Sequence, residues 1–220
     1  MIVVGCMIVW ECESTIGDTL KSIENFVDRI IVVDGTYKPF ATHFRSRDET
    51  LTKIRGFSKP KTIVGNSTGK PYRSEVFTRN LYMLPQYFMN LSEDEPKDPR
   101  WLFVIDADEY VVSGIDETLK LLETSSEPYY RVTRMWKTPW EQIIGDQQRV
   151  QLFKYVKGMK YVDNHYTIQY PNGTQVRTDS LAPLSPLKIV HQPERKTPRY
   201  QEDMLRYNRE VRPKVEKPNA

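Results

Sequence analysis

Short β-branched runs alternate with a helical repeat at the start of the chain. The runs IVVGCMIV (2–9) and RIIVVD (29–34) are rich in Val and Ile and too short for helices, which predicts two buried strands. Between them, apolar residues recur at spacings of three and four and form one helical face: Ile16, Leu20, Ile23 and Val27. This order of strand, helix and strand predicts a βαβ unit with a parallel strand pair.

The next part of the chain adds further elements. Thr15, followed three residues later by Asp18, predicts a capping box at the start of the first helix. The polar and basic residues 35–61 are interpreted as a long irregular connection with room for one helical turn, followed by a short strand over 62–64. A second helix is expected near Arg73, and Pro85 should kink or end it.

The strand WLFVID (101–106) is the clearest core strand, and beyond residue 113 the pattern changes. Ile115, Leu119 and Leu122 predict a short helix, and four shorter, half-exposed strands are expected in YYRVTRM, RVQLFKY, MKYVD and YTIQY. A basic helix is expected over 200–211, before a frayed tail. The coarse prediction is a parallel α/β half followed by a mixed, β-rich half.

Composition narrows the class of protein. With 39% hydrophobic and 28% charged residues, the 220-residue chain can build a sizeable core, which excludes a largely disordered protein. The 32 Lys and Arg residues against 29 acids argue against a nucleic-acid partner held by phosphate contacts. Two cysteines and an apolar start too short for a membrane span lead us to expect a soluble, cytoplasmic protein.

Acidic residues follow three of the predicted strands. Asp106, Asp108 and Glu109 come directly after the core strand, at the sheet edge where open α/β sheets bind ligands. A divalent cation such as Mg²⁺ or Mn²⁺ would offset their mutual repulsion. Alternatively, they cap the next helix or face solvent. Asp34 follows the second strand and either meets a ribose or forms a turn with Gly35, while Glu11 and Glu13 follow the first strand.

Several segments together resemble a known family, the GT-A family 2 glycosyltransferases. The opening IVVGCMIVWECESTIGDTLKSIENFVDRIIVVDGTY has the form of their first βαβ unit, and SEVFTRNLYML followed by WLFVIDADEYV looks like their Arg-Asn helix and D-x-D-E metal motif. The segment QRVQLFKYVKGMKYVDNHY is similar to their Arg-Leu-Phe and Val-His-Glu region. The segment LKIVHQ resembles the region of their late histidine. The resemblance covers roughly residues 1–208 and departs from the family at Tyr166, where many relatives have Glu.

The resemblance implies an α/β GT-A fold, with a mostly parallel central sheet flanked by helices and a mixed C-terminal half. It implies one domain over 1–212, with a nucleotide-binding half (1–112), an acceptor-side half (113–212) and a flexible tail (213–220). The implied function is metal-dependent, inverting transfer of a sugar from a UDP- or GDP-sugar to a hydroxyl of a glycan, lipid-linked or protein acceptor.

Site residues follow from the same resemblance. Asp34 and Glu11 would hold the nucleoside, and Arg79 would lie near the diphosphate. Asp106 and Asp108 would hold Mn²⁺ or Mg²⁺, with His191 as a further ligand or a stabiliser of the leaving group. The residues themselves also suggest His191, because it ends the apolar run LKIV and precedes a basic stretch. A half-buried structural histidine is the alternative.

The catalytic base is the open assignment. Tyr166, with a phenol that normally titrates near pH 10, is a poor base. Asp163 is the nearest carboxylate in the sequence, and His165 could orient or assist it. Glu141 and Asp146 are rivals, and a plain strand-end aspartate is the alternative for Asp163.

Two other functional classes stay open, together with a membrane contact. A nucleotidyltransferase would also use paired acids, but it would normally carry a Gly-rich, basic loop that WECESTIGD lacks. A catalytically degenerate nucleotide-sugar-binding module is the non-enzymatic alternative. The basic face of the predicted C-terminal helix is either exposed to solvent or in peripheral contact with an anionic lipid at the inner face of the membrane.

Overall fold

The computed structural model describes residues 1–37, 44–84, 100–137, 143–163 and 167–192. In chain order the elements are β1 Ile2–Val9, α1 Glu13–Ile23, β2 Arg29–Asp34, α2 Thr50–Arg55, β3 Lys61–Gly65, α3 Glu75–Tyr82, β4 Arg100–Val104, β5 Glu109–Ser113, α4 Ile115–Thr124, β6 Tyr129–Lys137, β7 Ile143–Lys154, β8 Lys160–Asp163, β9 Thr167–Gln169, β10 Gln175–Arg177 and β11 Leu184–His191. Within these residues the strands form an eight-stranded sheet in the order β3-β2-β1-β4-β7-β6-β11-β5 and a three-stranded sheet in the order β10-β9-β8.

The N-terminal half of the large sheet is parallel. Strand β1 lies between β2 and β4 and pairs with both in parallel, and β2 pairs in parallel with β3. Alternate residues of β1 enter two cores: Val3 and Met7 join the one that includes α1, whereas Val4 and Cys6 join the one that includes Tyr82 of α3. Burial on both faces explains why β1 is a continuous apolar run.

The start of α1 differs from the predicted capping box. The N-cap residue is Cys12, and its side chain makes no capping hydrogen bond. Residues at the start of α2 and just before it bind the first N–H groups of α1 instead: Thr50 Oγ1 accepts the Cys12 N–H at 2.9 Å, and Asp48 Oδ2 accepts the Glu13 N–H at 3.1 Å. The capping-box prediction is therefore wrong, because side chains more than 30 positions away satisfy these donors.

The C-terminal half of the large sheet is mixed. Strand β7 is antiparallel to β4 and β6, β6 is parallel to β11, and β11 is antiparallel to β5. Strand β5 was not predicted. It begins at Glu109, the last residue of the acid cluster, and pairs Glu109 with His191. The predicted α/β class, with its parallel first half and mixed second half, is confirmed, and this is the sheet arrangement expected for the GT-A fold.

The remaining predictions divide between confirmed elements and undescribed residues. The short third strand is confirmed as β3, and the second helix as α3, which begins at Glu75 with Ser74 Oγ accepting the Phe77 N–H at 3.2 Å. Pro85 and the predicted basic helix with its tail lie outside the described residues. Among the helices that the structure describes, none combines the length and apolar character needed to cross a bilayer.

Candidate active site

A cavity of about 230 Å³ opens at the carboxyl ends of β1, β2 and β4. Parallel strands present these ends at one edge of the sheet, so residues that follow different strands meet there. The polar groups in its wall come from three strand ends, from α1 and from α3: Glu11, Thr15, Thr36, Tyr37, Glu75, Arg79, Asp106 and Asp108. Trp10, Cys12 and Gly35 also line it.

The three clustered acids occupy different environments. The Asp106 side chain is 39% exposed, whereas Asp108 and Glu109 are buried. Glu109 stabilises the turn between β4 and β5. Its Oε2 accepts hydrogen bonds from the Asp106 N–H at 2.9 Å and from the Gln151 side-chain N–H at 3.0 Å, and its Oε1 forms an ion pair with Arg134 Nε at 2.5 Å. Glu109 therefore has a structural role: it holds the turn that carries the two aspartates of the cavity wall.

Burial and charge move the pKa values of two of these acids in opposite directions. Burial raises the pKa of Glu109 and the charge of Asp106 adds to this, so Arg134 offsets only part of the rise. Burial also raises the pKa of Asp106, but the positive charge of Arg79, with smaller help from Arg134 and His191, brings it below its ordinary value. Asp106 is thus held ionised at the cavity wall.

Arg79 connects α3 to the end of β4. Its guanidinium donates to Glu75 Oε1 at 2.9 Å and to Asp106 Oδ1 at 3.3 Å, and Nη1 donates to the Tyr82 hydroxyl at 3.4 Å. The group also lies 5.8 Å from the centre of the Tyr161 ring. Arg79 is buried yet lines the cavity, so the site holds a fixed positive charge beside Asp106.

His191 meets Asp108 across the β11–β5 pair. Its Nε2 lies 3.0 Å from Asp108 Oδ2, and its ring packs edge-on against Trp136 with 4.7 Å between centroids. His191 is buried, and Nδ1 has no hydrogen-bond partner among the described residues. Nε2 therefore carries the polar contact of this imidazole, in agreement with a role beside the acids.

The predicted nucleoside residues, Glu11 and Asp34, lie at the ends of β1 and β2. Glu11 lines the cavity with a left-handed backbone (φ 50°), and its Oε1 accepts the Arg47 N–H at 3.0 Å. Asp34 is buried, and its Oδ1 accepts the Ser46 N–H at 3.0 Å; it is not one of the cavity-lining residues. Both carboxylates anchor the segment that follows β2, and their nucleoside contacts remain predictions.

The predicted catalytic base falls where the structure describes little. Asp163 ends β8, but its side chain is not described, and His165, Tyr166 and Glu141 lie outside the described residues. The rival Asp146 is exposed on β7, paired in register with Met135, and does not line the cavity. The assignment of the base therefore remains a prediction.

Sequence reasoning missed the residues behind the acid cluster. Arg134 pairs with Glu109 and lies 4.6 Å from the Trp136 ring centre, and Gln151 donates to Glu109 and to the Val104 carbonyl. One signal could have found Arg134. It shares a strand face with Tyr130 and Val132, both buried, and a buried arginine requires an acidic partner.

The chemistry of the site residues bears on the predicted metal. The carboxylates of Asp106 and Asp108 are oxygen ligands of the type that Mg²⁺ or Mn²⁺ takes, and the imidazole of His191 would be a nitrogen ligand beside them. Among the described residues no three such side chains already surround one point, and Asp106 is turned towards Arg79.

Comparisons with known proteins give structural likeness only. No protein-family profile and no curated protein matches the sequence. Solved structures of S. aureus TarS (residues 1–349) are similar: the UDP-GlcNAc complex at 14% identity and the UDP complex at 13%, both with a TM-score of 0.45. The match covers 63% of this chain and 36–37% of the TarS chains. Likeness at this level carries no conclusion about what this chain binds.

The topology and the cavity together define the class. The fold is α/β, with a sheet that is parallel in its first half and mixed in its second, and it places two ionisable pairs, Arg79–Asp106 and Asp108–His191, at the edge where the parallel strands end.

Proposed function

We propose that this chain is a glycosyltransferase that moves a sugar from a UDP- or GDP-sugar to an acceptor hydroxyl, with Mn²⁺ or Mg²⁺ and with inversion at the anomeric carbon. One observation carries the proposal. Asp106 and Asp108 follow β4 into the cavity, and Arg79 from α3 and His191 from β11 reach the same two carboxylates. Paired acids with neighbouring donors, at the edge of parallel strands, suit a nucleotide diphosphate.

Each group would have a distinct part in the reaction. Asp106, Asp108 and His191 would hold the metal, which supplies positive charge where the departing diphosphate gains negative charge. Arg79 would donate hydrogen bonds to diphosphate oxygens from a position that Glu75 already orients. Glu109 and Arg134 hold the β4–β5 turn and so fix the backbone that carries the two aspartates.

The nucleoside would occupy the part of the cavity between the ends of β1 and β2. Tyr37 and Trp10 offer aromatic surface there, and the Tyr37 hydroxyl donates to Glu75 Oε2 at 3.1 Å. Glu11 lies in the same wall, where its carboxylate would accept a hydrogen bond from a sugar hydroxyl.

Deprotonation of the acceptor hydroxyl is assigned to Asp163, with His165 assisting. The test is Asp163→Asn in a transfer assay at saturating donor, with Glu141→Gln and Asp146→Asn as matched variants. We expect only Asp163→Asn to lose turnover, with unchanged donor affinity. Parental turnover in that variant would transfer the role to whichever of the other two is impaired.

A nucleotide-sugar-binding module without turnover is the second candidate. It is favoured by the internal pairing of the site, since Arg79 pairs with Asp106 and His191 with Asp108.

One experiment separates the candidates. Thermal unfolding is measured with a panel of UDP- and GDP-sugars, beginning with UDP-GlcNAc, with and without Mn²⁺, and release of free nucleotide is followed in parallel. A donor at 100 times its dissociation constant should stabilise the protein by about 2.7 kcal/mol. Stabilisation with nucleotide release supports the transferase, and stabilisation alone supports the binding module. Failure of every donor to stabilise the protein would overturn both.

A further inference from the structure

The basic connection after β2 forms a second groove, outside the cavity described above. Residues 44–55 are folded as a loop and α2, and their outer side encloses a groove of about 480 Å³. Three arginines line it, Arg45, Arg47 and Arg55, and all three are exposed. None of these arginines lines the active-site cavity.

The residues that line this groove do not neutralise its positive charge. Its lining includes one acid, Asp48, against three arginines; Asp48 Oδ2 accepts the Glu13 N–H and Oδ1 accepts the Thr50 N–H, both at 3.1 Å. In the part of the chain that the structure describes, no carboxylate forms an ion pair with the guanidinium groups that line the groove. An excess of positive charge in a concave surface concentrates the field on an incoming anion.

Hydrogen bonds to buried groups hold the backbone between these arginines. Ser46 N–H donates to Asp34 Oδ1 at 3.0 Å, and Ser46 Oγ accepts the Glu11 N–H at 3.1 Å. Arg47 N–H donates to Glu11 Oε1 at 3.0 Å. Arg45 also lies against the Phe44 ring, 5.5 Å from its centre. The backbone that carries Arg45 and Arg47 is therefore held in place, so binding a ligand need not order it.

We propose that this groove binds the phosphate or diphosphate group of a soluble ligand. The planar guanidinium forms paired hydrogen bonds with phosphate oxygens, and several of them around one groove suit a multiply charged oxyanion. The exposed Thr52 side chain adds a hydroxyl donor to the lining. The site is separate from the proposed donor cavity and does not depend on the sugar-transfer proposal.

The test uses pyrophosphate as the probe, in the absence of divalent metal, and follows the backbone amides of the full chain by NMR. We expect saturable shifts of amides within 44–55 and small shifts around Asp106. The variant R45Q/R47Q/R55Q should weaken binding at least tenfold, since each substitution removes a charged hydrogen-bond donor. Arg73→Gln is the matched control, because Arg73 is also exposed and lies 4.6 Å from a phenylalanine ring, that of Phe77.

Two further arms make the outcome decisive. Asp108→Asn alters the proposed donor site and should leave pyrophosphate binding unchanged, so failure of one proposal is distinguishable from failure of the other. Phosphatidylcholine vesicles with and without phosphatidylglycerol test a lipid headgroup as the source of the phosphate. Unchanged pyrophosphate affinity in the triple variant, shifts confined to the donor cavity, or binding to anionic vesicles without binding to pyrophosphate would each overturn the proposal.

Discussion

His191 Nε2 lies 3.0 Å from Asp108 Oδ2, although 83 positions separate the two residues in the chain. Antiparallel pairing of β11 with β5 produces this contact, because it places His191 directly opposite Glu109. The histidine thereby joins the acid cluster that follows β4. The Trp136 ring packs against the imidazole and limits its movement.

Removal of this imidazole should reduce turnover and should also lower the stability of the folded protein. We expect His191→Ala to lower kcat by roughly 100-fold, the scale of losing one electrostatic stabiliser in an active site. The emptied space beside Trp136 should also cost about 1–3 kcal/mol of unfolding free energy. Turnover at saturating donor and urea unfolding measure the two effects separately. Intact turnover with reduced stability would assign His191 a structural role only.

Asp108→Asn should abolish metal-dependent donor binding. The substitution preserves the size of the side chain and its ability to contact His191, but removes the charge that a divalent cation requires. Calorimetry with UDP and with GDP, each with and without Mn²⁺, measures the effect. Asp116→Asn, on the exposed surface of α4, is the control and should bind like the parent protein. Equal Mn²⁺-dependent affinity in both variants would exclude Asp108 as a ligand.

Asn80 connects α3 to the small sheet and should contribute measurably to stability. Its side chain accepts the Tyr161 N–H at 2.7 Å and donates to the Tyr161 carbonyl at 2.9 Å, in the manner of a neighbouring strand. Asn80→Ala leaves both backbone groups without their partner, and we expect a loss of about 1–3 kcal/mol in urea unfolding.

The matched control for Asn80 is Asn172→Ala. Asn172 accepts one hydrogen bond, from the Thr174 N–H, in an exposed turn. This change should remain within about 0.5 kcal/mol of the parent. Similar losses of unfolding free energy in the two variants would show that the hydrogen bonds between Asn80 and β8 contribute no more to stability than one bond in an exposed turn.

Asp34 should make stability depend on pH. Burial raises its pKa above the ordinary value of 3.8, and the hydrogen bonds from Ser46 offset only part of the rise. The folded state therefore holds this proton more tightly than the unfolded state does. Its contribution to stability is present below pH 3.8 and is lost as the pH rises through the folded pKa.

Asp34→Asn removes this titration, so the stability of the variant relative to the parent should rise between about pH 3.5 and about pH 7. Urea midpoints at both pH values measure it. Asp179→Asn should change in the opposite direction, because a hydrogen bond from Arg177 lowers the pKa of that exposed carboxyl. A relative stability of Asp34→Asn that is constant or falls with pH would contradict the prediction.

The sequence by itself determined the elements whose signals are local. The β-branched run 2–9 became β1, and the apolar repeat through Ile16 and Leu20 became the buried face of α1. The position of Asp106 and Asp108 at the cavity also followed from the sequence, since residues after parallel strands meet at one edge of a sheet.

The tertiary structure decided which distant groups are partners. No local pattern places Asp48 at the start of α1, Arg134 against Glu109, or His191 against Asp108. Each of these contacts depends on strand order and register, which are set by packing of the whole sheet. Burial then determined which charges required a partner, because an unpaired charge inside the protein is too costly to keep. The sequence thus predicted where the acids of the site lie, and the tertiary structure determined which side chains neutralise and orient them.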